Sequence, residues 1–140
     1  MTASPAQARR RDLVLIVAGG ILAAAGTADP RHVDWSKALR VDVTMIEYSF
    51  IPNHLVFRPG IPYRLHLENR GKELHEFTAP TFFQAVTLRD RHVLWIGGQE
   101  VVVQPGASAD IDLIPRHPGR FELSCADHDW AGMTGEIIVQ

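Results

Sequence analysis

Cys125, His128 and Met133 fall within the nine residues Cys125-Ala126-Asp127-His128-Asp129-Trp130-Ala131-Gly132-Met133, a C-x2-H-x4-M spacing. A thiolate, an imidazole and a thioether this close together form a soft, mixed donor set. Such a set suits copper that cycles between Cu(I) and Cu(II), because sulfur favours the reduced ion and imidazole serves both states. Gly132 lets the segment bend so that Met133 can return toward the other two. One equatorial donor must come from elsewhere. His75, in Glu73-Leu74-His75-Glu76-Phe77, is the candidate, since it follows the turn after a strand-like run and can sit in a loop at the same end of the molecule.

The competing donors have plainer readings. His66 alternates with Tyr63, Leu65 and Leu67 and therefore points to the opposite, solvent face. His54 and His117 lie beside Asn53 and Pro118 in expected turns, and His92 lies in the charged Arg89-Asp90-Arg91 stretch. Cys125 is the one cysteine in 140 residues. An intramolecular disulfide is therefore excluded, and so is a dinuclear copper centre that needs two thiolates.

The elements that must hold these donors read as strands. From Arg40 onward apolar residues recur with period two: Val41, Val43 and Met45; Tyr63, Leu65 and Leu67; Ile111 and Leu113; Phe121, Leu123 and Cys125. Alternation of this kind marks half-buried strands with one face on a core. Turn residues separate the runs at Pro59-Gly60, Asn69-Arg70-Gly71, Pro105-Gly106 and Pro118-Gly119. Short strands at regular spacing with little helical pattern predict an all-β sandwich or barrel. If Phe121 and Leu123 point inward, Cys125 does too, at the end of its strand. The segment 80–100 is irregular and is open to a strand pair or a short helix.

The N-terminus has a different character. Arg9-Arg10-Arg11 precedes an uncharged run from Leu13 to Ala25, followed by small residues through Ala28. This order predicts a signal peptide or an N-terminal anchor over residues 1–28, and hence a protein exported to the periplasm. The run is shorter than the ~20 residues of a spanning helix. Residues 29–39 read as a polar linker and 40–140 as the folded domain. The net charge of -2 shows no basic excess, so a nucleic-acid partner is not expected.

Residues from about Val41 to Gln140 resemble the cupredoxins, blue copper proteins of the plastocyanin and azurin type. The match runs in order through Tyr48-Ser49-Phe50-Ile51-Pro52, Pro59-Gly60, His75-Glu76-Phe77, Pro105-Gly106, Pro118-Gly119-Arg120-Phe121, the ligand segment and Gly135. The resemblance implies an all-β Greek-key β-sandwich or barrel, one copper ion held by His75, Cys125 and His128 with Met133 as weak axial ligand, and an electron carrier rather than an enzyme. His128 would be the solvent-side edge. Trp130 with Asp127 and Asp129 would form an apolar patch with an acidic rim, suited to a basic redox partner such as a cytochrome c, an oxidase or a reductase. The chain departs from the family's common pattern at Glu76, where Asn usually ties the two ligand loops, and at Ser124, often aromatic. The tie between the loops is thereby put in question.

Other functions predict other sequences. A copper delivery protein needs an open, exchangeable site rich in Met and His, whereas this chain has three Met and a thiolate at its motif. A copper enzyme needs further histidine clusters. An accessory subunit of a respiratory complex would use the same ligand set.

Overall fold

A computed structural model describes residues 29–95 and 97–140. The segment 1–28, expected as signal or anchor, lies outside the described residues. Ten strands form: β1 (Leu39–Ile46), β2 (Ser49–Ile51), β3 (His54–Phe57), β4 (Tyr63–Asn69), β5 (His75–Thr78), β6 (Val86–Leu88), β7 (Glu100–Val103), β8 (Ser108–Pro115), β9 (Gly119–Ser124) and β10 (Thr134–Val139). They build two five-stranded sheets, in the orders β2-β1-β4-β8-β6 and β3-β10-β9-β5-β7. The expected β-sandwich is thus observed. Two pairings are parallel, β1 with β4 and β3 with β10, and the rest are antiparallel. The peptide bonds Glu47-Tyr48 and Ile51-Pro52 are cis.

The period-two pattern becomes the two faces of each sheet. In β4 the side chains of Tyr63, Leu65, Leu67 and Asn69 are buried, while Arg64, His66 and Glu68 between them are half-buried. Val43 and Met45 of β1 and Ile111 and Leu113 of β8 join the same core. Burying each such side chain contributes roughly 1.5–3 kcal/mol before the cost of ordering it. On the outer face, β4 and β8 exchange charge pairs. Arg64 donates to both oxygens of Asp112 at 2.8 and 3.0 Å, and His66 Nδ1 lies 2.6 Å from Asp110. Arg64 stands directly opposite Asp112 and His66 opposite Asp110, so these cross-strand pairs support the observed register.

The irregular segment resolves into a short helix, α1 (Pro80–Gln84), then β6, a 3-10 turn over Arg91–Val93, and β7. Pro80 sits in the first helical turn, where its missing N–H costs nothing. Phe82 and Phe83 of α1 are fully buried, and Phe82 contacts Phe57 and Phe121 at ring-centroid distances of 5.5 and 5.7 Å. Residues 29–39 are not featureless. Asp29 and Asp34 cap two 3-10 turns, Pro30–His32 and Trp35–Lys37, and β1 begins at Leu39. Trp35 is buried, donates its indole N–H to Pro30 O, and lies under the Arg89 guanidinium.

Candidate metal centre

Two loops at one end of the sandwich carry the predicted donors. The first joins β4 to β5 and is organised by buried Asn69. Its side-chain amide donates to Glu73 O and Val103 O, each at 2.8 Å, and its carbonyl accepts the Gly71 N–H at 2.9 Å. A single side chain thus satisfies three backbone groups, which holds the loop in one shape. His75 opens β5 directly after it and is fully buried.

The second loop joins β9 to β10 and closes on itself. The Cys125 N–H donates to Met133 O at 3.0 Å, and the Met133 N–H donates to His128 O at 3.3 Å. Between them, a 3-10 turn over Asp129–Ala131 ends at Gly132, whose φ of +82° is the left-handed region that glycine occupies without strain. The bend predicted at Gly132 is present. Cys125 follows β9 by one residue and is fully buried, as the strand phase requires. Met133 is also fully buried.

The loops bring His75, Cys125 and His128 together, with one donor atom from each lying within 4.8 Å of the other two. Cys125 Sγ is 4.0 Å from His75 Nδ1 and 3.3 Å from His128 Nδ1. Met133 lies beside this trio through its backbone bonds to Cys125 and His128. The other five histidines, His32, His54, His66, His92 and His117, are not part of this group. His54 opens β3 rather than sitting in a turn, but it is exposed and paired with Glu136. Two imidazole nitrogens and one thiol, all buried, make a donor set that fits copper, with soft sulfur and borderline nitrogen together.

The surroundings of the trio contain what the sequence did not reveal. The Glu76 carboxylate accepts the Asp127 N–H at 2.9 Å, and the Glu76 N–H donates to Cys125 Sγ at 3.4 Å. Glu76 therefore ties the two ligand loops, the role put in question when Asn was found missing there. The same carboxylate lies 3.8 Å from Cys125 Sγ. Burial pushes the thiol pKa up, and the negative charge of Glu76 adds to the rise. The N–H groups of Glu76, Asp127 and His128 pull in the opposite direction.

The outer edges of both rings meet carboxylates. His128 Nε2 lies 2.7 Å from Glu73 Oε2, and His75 Nε2 lies 3.3 Å from Glu47 Oε1. The second contact is close in charge but off the line of a good hydrogen bond, so this buried ring nitrogen has no well-aligned partner. Glu47 also accepts the N–H groups of Lys72 and Glu73. The Glu73 N–H is the main reason its carboxyl stays below the usual carboxylate range.

His128 was expected at the solvent edge. It is instead 9% exposed, capped by Glu73 and by the Tyr48 ring at a centroid distance of 4.9 Å. The exposed group is Trp130, at 76%, whose ring lies 5.8 Å from that of Tyr48. No sequence pattern pointed to Glu47, Tyr48 or Glu73, which reach the site from loops after β1 and β4.

Comparison with known proteins agrees with this architecture. Residues 13–139 match the family described as a cupredoxin-like domain. No curated protein matches the sequence. Among solved structures, auracyanin B superposes with a TM-score of 0.55 at 18% identity, covering 74% of this chain and 89% of that one. Dithionite-reduced auracyanin from the photosynthetic bacterium Roseiflexus castenholzii gives a TM-score of 0.55 at 14% identity, covering 74% and 98%. A multicopper oxidase gives 0.54 at 14% identity, covering 73% of this chain and 44% of that longer one. At these identities the structural likeness speaks to the fold.

Proposed function

The chain belongs to the cupredoxin-like domain family, and from that premise we propose that it is a mononuclear type 1 copper protein that carries single electrons between redox partners outside the cytoplasm. The observation that supports this reading best is the convergence of His75 Nδ1 and His128 Nδ1 on Cys125 Sγ in a buried pocket between two loops. His75, Cys125, His128 and Met133 would hold the ion, a donor set typical of electron-transfer copper sites. A copper ion bound there supplies a one-electron couple. The residues do the rest. The sandwich fixes β5 and β9, Asn69 holds the first loop, and Glu76 holds β5 to the second loop, so the donors would change position little between oxidation states. Burial of all four side chains excludes water and opposes exchange, which favours electron transfer over delivery.

Partner and location follow from the surface and the N-terminus. The exposed Trp130, with Tyr48 behind it and Asp127, Asp129 and Glu73 around it, forms an apolar patch with an acidic rim. It suits a basic redox protein such as a cytochrome c, an oxidase or a reductase. The basic-then-apolar order of residues 1–28 supports export to the periplasm, and a native protein recovered only from cytoplasmic fractions would remove that part of the reading.

Copper-loaded protein should show an intense visible thiolate-to-copper band that is absent in Cys125→Ser. A colourless copper-loaded protein whose Cys125 still reacts with thiol reagents would overturn the assignment.

A further inference from the structure

The proposed ligand histidines share a feature that the copper reading does not require. Each turns its Nδ1 toward Cys125 Sγ and its Nε2 toward a glutamate: Glu47 for His75 and Glu73 for His128. The arrangement is built from both sides. Tyr48 donates its hydroxyl to the second oxygen of Glu73 at 3.2 Å. Gly71 makes room for Glu47, because a Cβ at that position would overlap Glu47 Oε1 and come within 3.0 Å of His75 Nε2. The Lys72 and Glu73 N–H groups then anchor the same Glu47 oxygen.

We propose that Glu47 and Glu73 are a pair of positioning residues that hold His75 and His128 as Nε2–H tautomers and thereby set the potential of the copper site. A neutral imidazole has one N–H and one lone pair, and the hydrogen bond made by one nitrogen decides which of them faces the metal. The Glu73 carboxylate, 2.7 Å from His128 Nε2, keeps the proton there, and the Glu47 carboxylate, 3.3 Å from His75 Nε2, does so by its charge without a well-aligned hydrogen bond, so each Nδ1 keeps its lone pair toward the centre of the site. The carboxylate also raises the donor strength of the ring. A negative charge near the site stabilises Cu(II) more than Cu(I), so the pair lowers the potential. Hydrogen-bond partners of ligand histidines typically change metal affinity by about 10–100-fold. A tenfold change in the Cu(II)/Cu(I) stability ratio corresponds to ~59 mV for one electron.

The inference rests on the copper reading, and its test separates the two. Glu47→Gln and Glu73→Gln keep size and hydrogen bonding and remove the charge. Each copper-loaded variant should retain the thiolate band and show a potential higher than wild type by about 59 mV, the tenfold case. In the metal-free protein at mildly alkaline pH, long-range proton–nitrogen NMR should find both rings with the proton on Nε2. In each variant the facing ring, left with a neutral and weaker acceptor, should show that preference reduced. Unchanged potentials in both variants, or rings protonated on Nδ1 in the wild type, would refute the proposal. The tautomers are read without metal, so a wild-type protein lacking the thiolate band would sink the copper reading while the rings still decided this one.

Discussion

Glu76 invites the most direct test of how the site is held together. Its carboxylate accepts the Asp127 N–H at 2.9 Å and joins the start of β5 to the β9–β10 loop. Glu76→Ala removes that acceptor. A hydrogen bond to a charged group is worth about 1.5–3 kcal/mol. The loss of one buried methylene adds ~0.8 kcal/mol. Part of this is returned, because a carboxylate that is 9% exposed no longer has to be held out of water. The net expectation is a loss of about 2 kcal/mol in the metal-free protein. For a domain of this size that lowers Tm by roughly 8 °C. Glu76→Gln keeps an acceptor oxygen at the same reach and should lose about half as much or less. Thermal and urea unfolding of the metal-free proteins, followed by circular dichroism, measure both. A Glu76→Ala protein as stable as wild type would refute the tie. So would a Glu76→Gln protein as unstable as the alanine variant, because the effect would then come from charge and not from the loop-to-loop bond.

Two further outcomes follow from the surface charges. Asp112, held by Arg64 and Arg89, has its carboxyl below the ordinary value of 3.8, chiefly through the Arg64 hydrogen bond. A depressed folded-state value contributes stability that is present above the unfolded value and is lost as pH falls through the folded one. Asp112→Asn should therefore cost about 1–2 kcal/mol at neutral pH, and the gap should close as pH falls below the ordinary carboxylate value and through the depressed folded one; a gap unchanged in acid would contradict the assignment. At the proposed docking face, Asp127→Asn combined with Asp129→Asn should slow electron transfer to a basic cytochrome c at low salt by about tenfold and have little effect at high salt. Equal rates at low salt would remove the acidic rim from the docking model.

Much of this molecule was legible because periodicity reports faces. The alternation in Tyr63-Arg64-Leu65-His66-Leu67 and in Phe121-Glu122-Leu123 is what placed Leu65, Leu67 and Leu123 in the core and Cys125 at the inner end of β9. The ligand segment was legible because three donors and Gly132 are close in sequence, so local spacing carries the geometry. What was hidden depends on pairing between distant strands. β1 runs parallel to β4 with Met45 opposite Asn69, and only that register brings the loop at residue 47 beside the loop at residues 71–73. Glu47, Tyr48 and Glu73 look like ordinary surface residues until this happens. Glu76 was visible but read as an irregularity, since a side chain longer than Asn can reach the Asp127 N–H only once β5 and β9 are placed. The segment 80–100 obscured its helix because α1 has five residues, too few to display a helical period.

The position of β10 has a consequence for the order of events. This strand lies between β3 and β9, and its residues 136–139 are the partners that seat β3, near the beginning of the domain. Met133 sits immediately before it. Until β10 is in place, the second sheet therefore lacks the strand that joins β3 to β9, and the loop that closes over Cys125 is not anchored at its far end. Cys125 is then an accessible thiol in an unfinished chain. The interval between chain completion and sheet closure is therefore when this thiol is open to oxidation, and it closes once Cys125 is buried.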